Sequence, residues 1–295
     1  MMNYISHASK MTGRRLSLVR TLLTVRSLLT LSALLSLCTF SYASTASNVV
    51  TPSIKTTIEI PLQGVTLEYK ANVRLLQVLD DANASGSIGY FPLSAQLFDT
   101  THTEANESNK AIEAKKRNVF NQLDAFSVEE PEATSVKQQL ASFQYLNRVF
   151  IELDRNAVIS QSDKNPLLVS TSHTNKPSDS QTQAFFLYLP QRPTSIQLMG
   201  VMKESVTINL IEHGTLNDYL DALPDGFIDE SADKSVAYVV QPDGVVQTIQ
   251  YAYWNEQPVY LAPGAIVFMA FYSLPSEYST LNQDIVDLLR HKVGL

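Results

Sequence analysis

One cysteine, one tryptophan and ten glycines in 295 residues set the first limits on this chain. The cysteine, Cys38, sits inside an apolar run near the N-terminus, so a chain cut after that run has no thiol. Disulfides and thiol catalysis are then excluded from its body. With few glycines come no G-x-x-x-x-G-K-[ST] loop, no G-x-G-x-x-G turn and no G-x-S-x-G elbow, so the usual phosphate cradles and the serine-hydrolase nucleophile turn are missing. Beyond the N-terminal run there are four histidines, His102, His173, His213 and His291. No two stand at metal-ligand spacing, so they are expected on the surface or in loops, and neither a metal site nor a cofactor is expected.

Acid is missing from the first 43 residues, which hold Lys10, Arg14, Arg15, Arg20 and Arg26. The remaining 252 residues carry 17 bases against 29 acids, a formal net charge of −12. A body this acidic has no electrostatic footprint for nucleic acid and is repelled by anionic membrane surfaces. It also repels acidic polymers unless a local basic pocket overrides the net charge.

The basic lead-in passes into Leu28, Leu29, Leu31, Ala33, Leu34, Leu35, Leu37 and Phe40, and then into Ser41-Tyr42-Ala43. That order reads as a secretory signal over residues 1–43, cut after Ala43, with Met11 as an alternative start to Met1. A mitochondrial presequence would share the basic, acid-free character but not the continuous apolar core. The run is shorter than the ~20 residues of a membrane span. Leu37 before Cys38 does not fit a lipoprotein signal.

Residues 56–69 read as a hairpin, with Ile58 and Ile60, then Val65, Leu67 and Tyr69 alternating about Gln63-Gly64. Leu75, Leu76, Val78 and Leu79 give a short helix, and residues 80–89 a polar loop. Residues 108–126 repeat Ile112, Val119, Phe120, Leu123 and Phe126 at helical spacing. Glu129-Glu130-Pro131 opens a second helix with Val136, Leu140 and Phe143 as its stripe. Val149, Ile151 and Leu153 then alternate as a strand. Residues 160–183 are the least structured stretch, 170–183 have no apolar period and read as an exposed insertion, and residues 183–189 return to apolar strand. Strand, strand, helix recurs at 194–223, with Leu216, Tyr219, Leu220 and Leu223 as the helical face. Two extended runs flank Gln241-Pro242-Asp243-Gly244, residues 265–271 read as a strand buried on both faces, and a helix follows to about Lys292. Tyr278, Leu281, Ile285, Leu288 and Leu289 form its buried stripe, with Asp284, Asp287, Arg290 and Lys292 off it. The doubled order predicts an α+β fold of tandem β-grasp (ubiquitin-like) domains. The expected parts are 44–190 with a helical hairpin insert at about 95–148, 191–275, and a C-terminal amphipathic helix at 276–295.

Taken alone, the residues support little chemistry. Asp80-Asp81 could be half of a glycosidase carboxylate pair, but adjacent acids at a helix end are more often solvated turn formers. Continued alternation from the 245–253 run would put Tyr251, Tyr253 and Asn255 on one face and Trp254 in the core, although exposed rings there could stack on sugars. Arg148, where the second helix meets a strand, reads by pattern as an ordinary solvated arginine.

Val240-Gln241-Pro242-Asp243-Gly244, Ala252-Tyr253-Trp254-Asn255, Pro263-Gly264 and Leu274-Pro275-x-x-Tyr278-x-x-Leu281-Asn282-x-x-Ile285-Val286 stand in an order that resembles the GfcC-like family of periplasmic capsule and exopolysaccharide proteins. The resemblance runs from about Thr56 to Leu295 and is most specific at the C-terminus. Tyr90-Phe91-Pro92 departs from the tryptophan that most members place before this proline. The resemblance implies two β-grasp domains, SLBB-like and similar in plan to Wza-type exporters, with the inserted hairpin and the terminal helix. It implies a pocket-lining arginine at Arg148, in Asn147-Arg148-Val149, and more weakly at Arg192 in Gln191-Arg192-Pro193. The expected protein is a periplasmic, non-catalytic accessory of capsule or exopolysaccharide export that binds the polymer or an outer-membrane export partner. The alternatives are a glycan-processing hydrolase or lyase, which would bring two carboxylates together in a cleft, and a channel subunit whose terminal helix enters the outer membrane.

Overall fold

A computed structural model describes residues 53–86, 89–101, 107–170, 180–257 and 259–294. The expected leader and cleavage site, His102, His173 and the middle of the 160–183 insertion lie outside the described residues. The fold is mixed α+β, with two five-stranded sheets.

The first sheet is built from β1 (Ser53–Ile60), β2 (Val65–Tyr69), β3 (Gln96–Asp99), β4 (Asn147–Val149) and β5 (Ser180–Tyr188) in the order β2-β1-β5-β3-β4. The second uses β6 (Ser195–Gly200), β7 (Val206–Asn209), β8 (Ala232–Val240), β9 (Val246–Gln250) and β10 (Ile266–Phe271) in the order β7-β6-β10-β8-β9. Each opens with an antiparallel hairpin and places its last strand centrally, parallel to its first and antiparallel to its third. A parallel pair needs a crossover, so the chain between those strands must cover a sheet face.

On the first sheet, α1 (Leu75–Ala84) and α4 (Arg155–Ser160) do this. Leu75, Val78, Leu79 and Ala82 of α1 pack with Ile58, Ile60, Leu97 and Leu187 of the sheet and Val158 of α4. α1 runs past the expected loop start at Asp80, because its acids have partners beside the helix. Asp81 accepts the Tyr69 hydroxyl (2.7 Å), and Asp80 pairs with Arg155 (2.6 Å).

The second sheet is covered twice. α5 (Leu216–Leu220), capped by a Thr215/Asp218 box, puts Leu216 and Tyr219 against Ile196, Leu198, Ala237 and Val267. The opposite face receives α2 (Glu107–Phe126), α3 (Glu132–Ala141) and α6 (Leu281–Leu289). Every residue of β10 is buried, as its unbroken apolar run requires. α2 and α3 leave the first sheet between the paired strands β3 and β4, yet Phe126 meets Phe271 edge to face with ring centroids 5.2 Å apart. Gln139 of α3 accepts from Gly200 N (2.9 Å) and donates back to Gly200 O (3.0 Å). At Gly200 φ is +114°, and a Cβ would run into the Met269 backbone, so only glycine lets β6 approach β10 there. Leu281, Ile285, Val286, Leu288 and Leu289 of α6 are buried. Their burial is worth about 7–15 kcal/mol as an upper bound, at ~1.5–3 per side chain. Among the described residues no helix is long and apolar enough to cross a membrane.

Several expectations are corrected. β4 stops at Val149, and Asp154 caps α4 in its place. β5 begins at Ser180, and both flanks of the insertion are core: Leu168, Ser170 and Gln183 are buried, with Ser170 N donating to Gln183 Oε1 (2.9 Å). β9 ends at Gln250 and the chain turns, so Trp254 is 77% exposed rather than core. Lys292 was expected on the wet side of the last helix but is buried, because α6 ends at Leu289 and the chain then folds back. Val293 N donates to Gln144 O (2.9 Å) and Leu146 N to His291 O (3.1 Å).

Candidate functional site

Arg148 stands in β4, opposite Phe98 of β3, immediately after the helical hairpin returns to the first sheet. It is 7% exposed, not solvated. Its Nη2 donates to the Pro242 carbonyl (2.5 Å) and its Nη1 to the Arg290 carbonyl (3.5 Å). The first acceptor belongs to the Gln241-Pro242-Asp243-Gly244 turn between β8 and β9, the second to the end of α6. One guanidinium therefore joins three elements that are distant in sequence. Burial pushes its pKa down to about 10, which Asp243 opposes and Arg290 reinforces, so it is still a cation at neutral pH.

The receiving turn is shaped for this contact. Gly244 N closes it onto Gln241 O (2.8 Å), and Gly244 has φ +87°. A Cβ on Gly244 would lie 2.5 Å from the Phe150 ring. The Gly244 carbonyl accepts from Arg290 Nε (2.8 Å), so two arginines grip one turn through its carbonyls. Gln241 anchors the turn from below, donating to Tyr260 O and accepting from Ala262 N.

Phe150 is the hub of the cluster. The Arg290 guanidinium lies 4.6 Å and that of Arg148 5.4 Å from its ring centroid, with the His291 ring at its edge (5.6 Å). Both cations gain from the ring quadrupole. His291 Nδ1 accepts from Arg148 N (3.3 Å), which requires a neutral imidazole with its proton on Nε2. Burial, and then the positive charges of Lys115, Arg290 and Arg148, depress the His291 pKa to about 4. Geometry and electrostatics thus agree on the neutral form.

A cleft of about 340 Å³ opens over this cluster, lined by Arg148, Phe150, Glu152, Asp243 and the Pro92-Leu93 turn among others. It does contain two carboxylates. Glu152, however, accepts Asp154 N (3.0 Å) and pairs with Lys164 (3.1 Å), and these contacts hold its pKa below the usual carboxylate range. A glycosidase acid needs the opposite shift, which the surroundings of Glu152 do not give. Asp243 Oδ1 accepts Val245 N (2.9 Å) within its own turn. Among the described residues no group of three or more His, Cys, Asp or Glu could hold a metal ion.

Arg192 does not join Arg148. It is exposed and stacks on Phe91 with 5.4 Å from guanidinium carbon to ring centroid. Sequence pattern gave Phe150 no role, set Arg290 off the buried stripe and put His291 at the surface or in a loop; the one trace of the cluster was a basic triplet, Arg290-His291-Lys292, at the negative end of the last helix's dipole.

The cluster draws half of its parts from the C-terminal region, and that region matches a known family. Residues 204–294 match the model of the capsule biosynthesis GfcC C-terminal family. The C-terminal third of the chain is GfcC-like. The GfcC-like region includes the gripped turn, β10, α6 and Arg290, but not Arg148 or the helical hairpin. The chain is also similar to the uncharacterized protein YjbG of Escherichia coli strain K12, at 27% identity over 161 residues, or 54% of this chain. The match spans 59% of the length of that relative.

Proposed function

We propose that the protein is a non-catalytic accessory of capsule or exopolysaccharide assembly, acting by binding the polymer or an export partner. The observation that carries this reading is the match of residues 204–294 to the capsule biosynthesis family. In the Arg148 cleft the surroundings of Glu152 keep it ionised rather than raising it as a glycosidase acid requires, which supports binding over catalysis. Arg148 is its proposed binding residue, with Arg192 as a second contact at the surface. The basic, then apolar residues 1–43 support export to the periplasm. The two matching strand orders, each with a helix after its first hairpin, support reading each sheet as a β-grasp domain, the first carrying the α2–α3 insert.

Deletion of the gene, with surface polysaccharide quantified in the mutant and in a strain complemented with the intact gene, tests the reading. Loss of polymer in the mutant and its return on complementation are expected. Unchanged surface polysaccharide in the deletion strain would overturn it. N-terminal sequencing of the exported product should begin at Ser44, and a membrane-bound product starting at Met1 or Met11 would overturn the periplasmic assignment.

A further inference from the structure

A second cleft, of about 320 Å³, lies away from the Phe150 hub, between the chain that follows α3 and the β6–β7 hairpin. Its volume lies within the range of small-ligand sites, roughly 300–1,000 Å³. The polar side chains lining it are Ser142, Gln144, Ser195, Gln197 and Thr207, all neutral, together with Lys292. Among the described residues Lys292 is the one charged residue in the lining and no carboxylate stands there. It is 5% exposed.

A buried ammonium has three donors to satisfy. Among the described residues Lys292 Nζ makes one long hydrogen bond, to Gly294 O at 3.4 Å, and lies 4.9 Å from the centroid of the Phe143 ring. Buried charges are normally paired and fully hydrogen-bonded, and this one is neither. Burial alone lowers its pKa, to about 8, so it still carries its charge at neutral pH. Among the described residues no anion pairs with this cation, and the Phe143 ring beneath it lines the same cleft of hydroxyls and amides, a site suited to an anionic, hydroxyl-rich ligand. Lys292 and Arg148 also share a void of about 10 Å³, space for about one water, so a sugar ring cannot pass from one cleft to the other.

We propose that the Lys292 cleft is a subsite for the carboxylate of an acidic sugar residue, with the neutral polar lining taking its hydroxyls. This deepens the polysaccharide reading above and rests on it. One ammonium balances one carboxylate, whereas a doubly charged phosphate would leave uncompensated charge beside a lining with no second cation. The site also answers the charge problem set by the sequence. A body of net charge −12 repels an acidic polymer, and a buried, unscreened lysine supplies the local attraction that the surface denies.

The test is an amide-shift NMR titration of the purified protein with a galacturonate trisaccharide and, separately, with its fully methyl-esterified, uncharged counterpart. The acidic trisaccharide should shift the amides of Gln144, Gln197 and Val293, and the ester should not. Lys292→Met should bind the acid about ten-fold to a hundred-fold more weakly, the range for losing a hydrogen bond to a charged group, and Gln197→Leu severalfold more weakly. Equal shifts with acid and ester, no shifts in the cleft, shifts confined to Phe150 and Asp243, or unchanged binding by a folded Lys292→Met would each overturn the proposal. If Lys292→Met does not fold, the comparison of acid and ester on the natural protein decides. The gene deletion above fails separately: normal surface polysaccharide would remove the assembly reading while leaving the binding result in place.

Discussion

The two sheets share strand order and polarity but join their third and fourth strands in opposite ways. In the second sheet β8 and β9 are joined by the tight turn around Gln241-Pro242-Asp243-Gly244. In the first, the chain between β3 and β4 leaves as α2 and α3, covers a face of the other sheet, and returns at Asn147. The two connections then meet, because Arg148, the second residue of the returning strand, donates to the Pro242 carbonyl of the tight turn. One strand plan therefore supports two roles. The second sheet carries helices on both faces, and the first is a support for a long insertion whose return point forms the candidate site. An insertion at a strand connection disturbs no ladder, and its amphipathic helices gain more by covering a second core than by packing only on each other.

Substitutions should break this comparison with graded force. The largest effect is expected at Gly200, where β6 presses on β10. Gly200→Ala should cost more than about 4 kcal/mol, since both its positive φ and the Met269 backbone forbid a Cβ. Calorimetry would read this as a collapse of the melting transition. Next is Arg148→Ala, which leaves the Pro242 and Arg290 carbonyls orphaned and frees the gripped turn. A loss of about 3 kcal/mol is expected in denaturant melts, with little recovered by Arg148→Lys, whose ammonium cannot reproduce the fork. A change within about 0.5 kcal/mol in both would mean that the two connections are not coupled.

Lys292→Met should act in the other direction. The folded-state pKa, about 8, lies below the usual 10.5, so the folded protein binds fewer protons than the unfolded chain. The charged lysine therefore lowers stability fully below about pH 8, and the penalty fades as pH rises towards 10.5. The variant should be more stable by about 2 kcal/mol at pH 7, with the gain shrinking through that alkaline window. A gain that does not change with pH would refute the assignment of the penalty to the buried charge.

Gly64→Ala in the first sheet's hairpin turn sharpens the contrast with Gly200. Its φ is also positive, at +64°, but nothing lies within 4 Å of the added Cβ, so about 1 kcal/mol is expected. Smallest of all is Trp254→Ala. With the indole 77% exposed, urea melts should move by less than about 0.5 kcal/mol.

Local pattern determined much of this protein. The alternation about Gln63-Gly64, the helical stripes of α2 and α6 and the unbroken apolar run of β10 reflect periodicities fixed by backbone geometry, and these elements are present. The doubled order of strand, strand, helix was legible for the same reason. Pattern misled where an element ended. Alternation past Gln250 would have buried Trp254, but after one more bond, from Tyr251 N to Ser235 O, the chain turns away from β8. Only the tertiary structure could decide the site. Arg148, Pro242 and Arg290 lie 94 and 142 residues apart, and no local rule brings a strand, a turn and a helix end together. The burial of Lys292 was decided the same way. Its charge argued for solvent, and the main-chain hydrogen bonds that the terminal segment makes with Gln144 and Leu146 drew it inside.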